Sequence, residues 1–128
     1  MNKDVERIRV LVAEDNHDLA TAVCALLAAE PDIEIVGQIA RAQELLQSAR
    51  DGRAQVIVLD LNLDGESSVP AMRVVQRVLP RVAVVIYSGY DRSDVASALP
   101  GLGTTEFISK SGDVLELAQA VRRAAARN

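Results

Sequence analysis

The sequence predicts an α/β fold in which a parallel sheet carries helices on both faces, built from five successive βα units. Three observations predict it. Along the chain the apolar pattern switches five times between a short, nearly continuous apolar run and a helical spacing. The hydrophobic share is 49% with aromatics at only 2%, so Leu, Val, Ile and Ala must fill the interior, which suits a parallel sheet. A length of 128 residues accommodates one core and is too short for two comfortable ones, so residues 1–128 are expected to form a single domain.

Each element has its own signal. The run IRVLVA, from Ile8 to Ala13, reads as the first strand. Polar EDNHD follows, then Leu19, Val23, Leu26 and Leu27 at helical spacing until Pro31 stops the helix. Cys24 falls within that helix as a small core hydrophobe. The second strand is IEIVGQIA, and its helix carries Ala42, Leu45, Leu46 and Ala49 before Gly52. QVIVLDL is the third strand. The helix after it sets Met72, Val75, Val78 and Leu79 on one face, tolerates Pro70 in its first turn and ends at Pro80. VAVVIYS, the fourth strand, leads to a weaker helix around Val95, Ala98 and Leu99 that Pro100 cuts short. TEFIS and a helix with Val114, Leu117, Ala118 and Val121 on one face complete the chain.

Strands one, three and four are continuous apolar runs, as strands buried on both faces should be, whereas the second and fifth carry polar residues and read as edges. The order 2-1-3-4-5, a flavodoxin-like doubly wound (βα)5 three-layer sandwich, satisfies this. Its ligand crevice lies at the carboxyl ends of strands one and three.

Charge and composition exclude several functions. A net charge of -4 without a basic block argues against direct nucleic-acid binding. With one cysteine no internal disulfide can form, and the cytoplasm is the natural compartment. The start MNKDVERIRV has no apolar leader, and no stretch approaches the roughly 20 apolar residues that span a bilayer, so no membrane association is expected.

The predicted crevice collects chemistry. Strand one ends in Glu14 and Asp15, strand three in Asp60, strand four in Ser88 and strand five in Lys110. Three carboxylates together repel one another unless a cation shares the site. Oxygen-only ligands without a Cys/His cluster favour Mg2+ over Zn2+. Ser88 and Lys110 supply a hydroxyl donor and a point charge, which suit a phosphoryl group. Singly, each residue has an ordinary reading: a solvated loop, a turn, a surface amine. The joint placement at four strand ends carries the case.

In order and spacing, VLVAEDN, VIVLDLNL, VVIYSGY and EFISK resemble the receiver domain of bacterial two-component response regulators, over almost the whole chain. The resemblance implies that Asp60 accepts a phosphoryl group from the phosphohistidine of a sensor histidine kinase or a histidine phosphotransfer protein. It implies that Asp15, Asp60 and the backbone carbonyl of Asn62 bind Mg2+, with Glu14 acting through water. Lys110 then pairs with the phosphate, Ser88 turns to hydrogen-bond it, and Phe107 follows inward as the switch aromatic. Asn62 and Tyr90 occupy the positions that gate attacking water, and a bulky Tyr90 implies slow loss of phosphate. The output surface is the fourth helix, fifth strand and fifth helix, through which a homodimer can form. PDIEIVG and the form of VIVLDLNL are similar to receivers that precede LuxR-type helix-turn-helix domains, which implies transcription control through an output domain outside this chain. A stand-alone regulator and a degenerate docking receiver are the alternatives. The chain is thus a signalling domain rather than an enzyme, beyond catalysing its own phosphorylation and dephosphorylation.

Two positions after Asp60 depart from the family pattern: Asp64 and Ser68 stand where a proline and a glycine are usual. The loop is expected to differ there. Ser111 replaces the usual proline after Lys110, which predicts a trans peptide. A haloacid-dehalogenase-like phosphatase also uses an aspartate and Mg2+ at strand ends, but Asn62 breaks its DxD signature. His17 reads as an exposed loop residue, and Arg122, Arg123 and Arg127 as the solvated side of the last helix.

Overall fold

The computed structural model describes residues 6–89 and 106–127. Its main sheet holds β1 (Ile8–Ala13), β2 (Ile33–Ile39), β3 (Val56–Leu59), β6 (Ala83–Ser88) and β7 (Glu106–Ser109). All neighbours are parallel, in the order β2-β1-β3-β6-β7. Counted over the main sheet alone this is the predicted 2-1-3-4-5, and the two polar strands are the edges. A second sheet pairs β4 (Asn62–Leu63) with β5 (Glu66–Ser67), antiparallel. The helices are α1 (His17–Ala28), α2 (Leu45–Asp51) entered through a 3-10 turn at Ala42–Glu44, α3 (Val69–Val78) and the C-terminal helix (Leu115–Ala126). Tyr90 and the helix expected around Val95, Ala98 and Leu99 lie outside the described residues.

Alternation along the strands builds the three layers. Val10, Val12, Val56, Val58 and Val85 point to one face, against Val23 and Leu27 of α1 and Leu117, Val121 and Ala124 of the C-terminal helix. Leu11, Ala13, Ile57, Leu59 and Ile86 point to the other, against Leu45 and Ala49 of α2 and Met72 and Val75 of α3. Each fully buried Leu, Ile or Val contributes roughly 1.5–3 kcal/mol of transfer free energy. The edge strand β2 carries a bulge: Val10 pairs with Ile35 but Leu11 with Gly37. A Cβ on Gly37 would meet Leu11 Cδ1 at 2.9 Å, so glycine permits this close approach.

Several side chains differ from expectation. Leu26 and Val78, placed on the buried faces of their helices by spacing, are exposed at 45% and 43%. Cys24 is only half-buried, packed against the α1 side of the core. His17 is exposed as foreseen, but it is the first residue of α1 rather than a loop residue. The terminal arginines are ion-paired. Arg122 reaches Glu30 Oε1 at 2.5 Å and Asp32 Oδ2 at 2.8 Å, while Glu106 of β7 accepts from Arg123 at 3.0 Å and Arg127 at 2.6 Å.

Arg122 therefore ties the C-terminal helix to the α1–β2 turn across 90 and 92 positions. Its guanidinium holds the Asp32 carboxyl below the ordinary 3.8. A carboxyl with a depressed folded value contributes stability above its unfolded value and loses it as pH falls through the folded one. Because the partners are more than a third exposed, solvent screens the pair. Arg122→Ala should lower unfolding free energy by about 0.5–1 kcal/mol at neutral pH in urea titrations. Below pH 3.8 the gap to wild type should narrow.

Candidate functional site

The carboxyl ends of β1, β3 and β7 are carried past their last paired residues by further backbone bonds. Glu14 N–H donates to the Ile39 carbonyl at 3.0 Å, Asp60 N–H to the Ala13 carbonyl at 3.0 Å and Lys110 N–H to the Ser88 carbonyl at 2.8 Å. The ladder therefore holds Glu14, Asp60 and Lys110 at one sheet edge, with Ser88 buried on the strand beside Lys110. Asn16 fixes the acid pair from the other side. Its Oδ1 caps α1 by accepting from Leu19 N–H at 3.0 Å, and its own N–H donates to Glu14 Oε2 at 3.0 Å.

Carboxylate oxygens of Glu14, Asp15 and Asp60 lie within 4.8 Å of one another. The Lys110 ammonium binds two of these acids, Glu14 Oε1 at 2.5 Å and Asp60 Oδ2 at 2.7 Å. It also lies 5.7 Å from the ring centre of buried Tyr87, a cation–π contact. Burial pushes the Glu14 carboxyl up, and its bonds to Lys110 and Asn16 only partly offset this. Asp15, which is exposed, is held below the usual carboxylate value, chiefly by the backbone N–H of Asp64. Burial works against the Lys110 ammonium, but its bonds to Asp60 and Glu14 outweigh it and raise its pKa.

Three carboxylates against one ammonium leave two negative charges in a small volume. All donors are hard oxygens, and no Cys or His belongs to the cluster. This donor set suits a hard, oxygen-seeking divalent ion better than zinc, which favours Cys and His.

The segment after Asp60 forms a hairpin. Asp64 and Gly65 have φ of 54° and 79° and close the two-residue turn between β4 and β5. An Asp-Gly pair between strands is the usual chemistry of such a turn, because both central residues must be left-handed. The dipeptide was legible as this signal in LNLDGES. No proline can adopt φ of 54°, so the loop cannot follow the family's proline form. Asp64 N–H turns inward and donates to Asp15 Oδ2 at 2.9 Å. Asn62, exposed, donates its N–H to Asp60 Oδ1 at 3.1 Å. At position 68 the φ is -89°, which any residue adopts. Ser68 is fully buried, and its hydroxyl donates to the Asp60 carbonyl at 2.6 Å while its N–H donates to the Leu61 carbonyl at 2.8 Å. The serine thus anchors the backbone of Asp60, a role that nothing in the residue's spacing announces. Phe107 is half-buried on β7 opposite Ile86 and packs against the α3 side of the core. No peptide among the described residues is cis, so Lys110–Ser111 is trans as expected.

Asp64→Pro should disrupt this hairpin, since the ring forbids φ of 54° and removes the N–H that Asp15 accepts. A destabilisation of about 2–3 kcal/mol is expected in urea denaturation, whereas Asp64→Asn, which tolerates the left-handed region, should lie within about 0.5 kcal/mol of wild type.

The sequence matches the family described as response regulator receiver domain over residues 10–122. Among its relatives are the transcriptional regulatory protein LiaR of Bacillus subtilis, 26% identical over 91% of this chain and 56% of LiaR. The response regulator GacA of Pseudomonas viridiflava is 28% identical over 90% of this chain and 54% of GacA. The chain thus spans about half the length of these curated relatives. In fold it is similar to a LuxR-family two-component response regulator from Aurantimonas sp. SI85-9A1, with a TM-score of 0.86 and 23% identity over 96% of this chain and 88% of that one. The receiver domain of NarL from Mycobacterium tuberculosis gives a TM-score of 0.85 at 20% identity over 96% and 99%. With a family match over residues 10–122 and the flavodoxin-like sheet in place, the chain belongs to the response regulator receiver domains of two-component systems.

Proposed function

We propose that Asp60 is the phosphoacceptor of this receiver. The observation that carries the reading is the position of Asp60, half-buried at the end of central β3, bonded to Lys110 and within 4.8 Å of Glu14 and Asp15. In the transfer an Asp60 carboxylate oxygen forms a bond to phosphorus as the phosphorus–nitrogen bond of a phosphohistidine breaks. The electron pair leaves with the imidazole. Asp15, Asp60 and the backbone of Asn62 would hold Mg2+, with Glu14 behind them. When bound, the ion neutralises charge that spreads over the phosphoryl oxygens. Lys110 is already beside the acceptor oxygen and needs to move little to follow the charge. Asp64 N–H orients Asp15, and Ser68 fixes the Asp60 backbone. The acyl phosphate carries about 1.5–2 negative charges where the Asp60 carboxylate carried one, and it sets new phosphoryl oxygens in the crevice, for which the Ser88 hydroxyl is the proposed donor, with Phe107 following. Tyr90 is the proposed water gate together with Asn62.

Sensor histidine kinases or phosphotransfer proteins are the proposed phosphodonors, and transcription through an output domain the proposed readout, in the cytoplasm. No described helix is long and apolar enough to cross a membrane.

Intact-mass spectrometry after incubation with Mg2+ and a small acyl-phosphate donor tests the reading. One phosphate adduct, absent when a chelator replaces Mg2+, supports it. Steady turnover of phosphomonoesters would indicate a phosphatase instead, and no adduct even from a cognate kinase would indicate a docking module.

A further inference from the structure

At the sheet edge opposite the acidic crevice, where the amino ends of β1, β3 and β6 lie, a cavity of about 480 Å3 is lined by Arg9, Arg50, Arg53 and Arg81. They come from four segments: β1, the end of α2, the turn after it and the α3–β6 connection. No carboxylate lines the cavity, and none of the four has an ion-pair partner among the described residues. In a chain of net charge -4 this is a strong local excess of positive charge.

The scaffold under these arginines is fixed. Arg9 has its N–H bonded to Gln55 Oε1 at 3.0 Å, and its carbonyl accepts from Gln55 N–H at 2.8 Å. Its Nε donates to the Arg53 carbonyl at 2.7 Å, which sets the side chain and leaves both terminal amino groups for a ligand. Arg53 has φ of 52°, a left-handed conformation that arginine rarely adopts, and Ala54 N–H returns to the Ala49 carbonyl at 2.9 Å. Proximity to a helix C-terminus accounts for Arg50 and Arg53 singly. It does not account for their meeting Arg9 and Arg81.

We propose that this cavity binds a small polyphosphate ligand of nucleotide size. Guanidinium groups pair with phosphate oxygens through two parallel hydrogen bonds, and several of them can share a chain of phosphates. Ala54, Leu79 and Val82 give the wall an apolar part against which a ring can lie, and the volume is in the range of small-ligand sites. The phosphoacceptor reading makes no use of this cavity, so the two stand or fall separately.

The test is an amide NMR titration of the labelled protein at constant ionic strength, with a chelator in place of Mg2+, using inorganic pyrophosphate and ATP as probes. Saturable shifts at Arg9, Arg50, Arg53, Gln55 and Arg81 are expected, with ATP binding tighter than pyrophosphate. The double variant Arg53→Glu with Arg81→Glu should weaken ATP binding by roughly tenfold or more, and the milder Arg53→Gln with Arg81→Gln guards against misfolding. Asp60→Asn should bind ATP as wild type does. Shifts that grow linearly without saturation, shifts centred on Glu14, Asp15 and Asp60, or unchanged affinity in both double variants would overturn the site. Equal affinity for the two probes would overturn its nucleotide size.

Discussion

Asp60→Asn should yield no phosphate adduct under conditions that fully label the wild type, while keeping the fold. The amide is isosteric but lacks the anionic oxygen that attacks phosphorus. The Asp60 backbone donates its N–H to the Ala13 carbonyl and accepts from Ser68, while the side chain accepts from Asn62 N–H and Lys110. Asparagine keeps both backbone bonds, and its amide oxygen can still accept one of the side-chain bonds, so the charge pairing with Lys110 is what the variant loses. Intact mass gives the loss of labelling, and circular dichroism with urea denaturation should place the variant within about 1 kcal/mol of wild type. Labelling that persists would move the acceptor to another residue.

The second large effect is expected for Lys110→Met. Lys110 bonds both Glu14 and Asp60, and the Glu14 carboxylate is only 3% exposed. Methionine preserves much of the volume and leaves a buried carboxylate without its cation, a destabilisation of about 2–4 kcal/mol. Phosphoryl uptake should slow by roughly a hundredfold or more, because a positioned charge beside the acceptor is lost. The pH dependence separates these effects. Burial already raises the Glu14 carboxyl, and removing the ammonium raises it further. A carboxyl whose folded value lies above its unfolded one stabilises the fold below the unfolded value, and that contribution is lost as pH rises through the folded value. The deficit of Lys110→Met should therefore be largest at neutral pH and shrink below about 4.5, the ordinary value for Glu. Urea titrations at both pH values, with chelator present, check this. A deficit independent of pH would mean that packing, not the unpaired Glu14, is at fault.

The strands were legible because burial on both faces leaves little choice of residue: Val56 to Leu59 is apolar throughout, and so are Val10 to Ala13 of β1 and Ala83 to Ile86 of β6 beside it. The polar residues of β2 and β7 marked the edges for the same reason. Helix faces were less legible. α1 is apolar nearly all round, with Ala, Val, Cys and Leu in succession, so spacing alone could not decide whether Leu26 or Ala20 meets the sheet. The pairing of Arg122 with Asp32, and of Arg123 and Arg127 with Glu106, joins residues far apart in sequence, and no local pattern signals it. Glu14, Asp15, Asp60, Ser88 and Lys110 could be placed at one edge from the sequence because strand ends in a parallel sheet share one edge. Tyr87 beneath Lys110 and Ser68 beneath Asp60 were missed, since a buried tyrosine reads as core and a loop serine as solvated. The Asp64-Gly65 turn had a recognisable dipeptide; a reading of Asp64 as a missing proline obscured it.

The most direct measurement is to locate the phosphoryl group. Protein labelled with an acyl-phosphate donor and Mg2+ can be reduced with borohydride, which converts an aspartyl phosphate to homoserine, and then sequenced by tandem mass spectrometry. Homoserine at position 60 is the predicted result. Conversion at Asp15 or Asp64 with Asp60 unchanged would contradict the assignment of Asp60 as the acceptor.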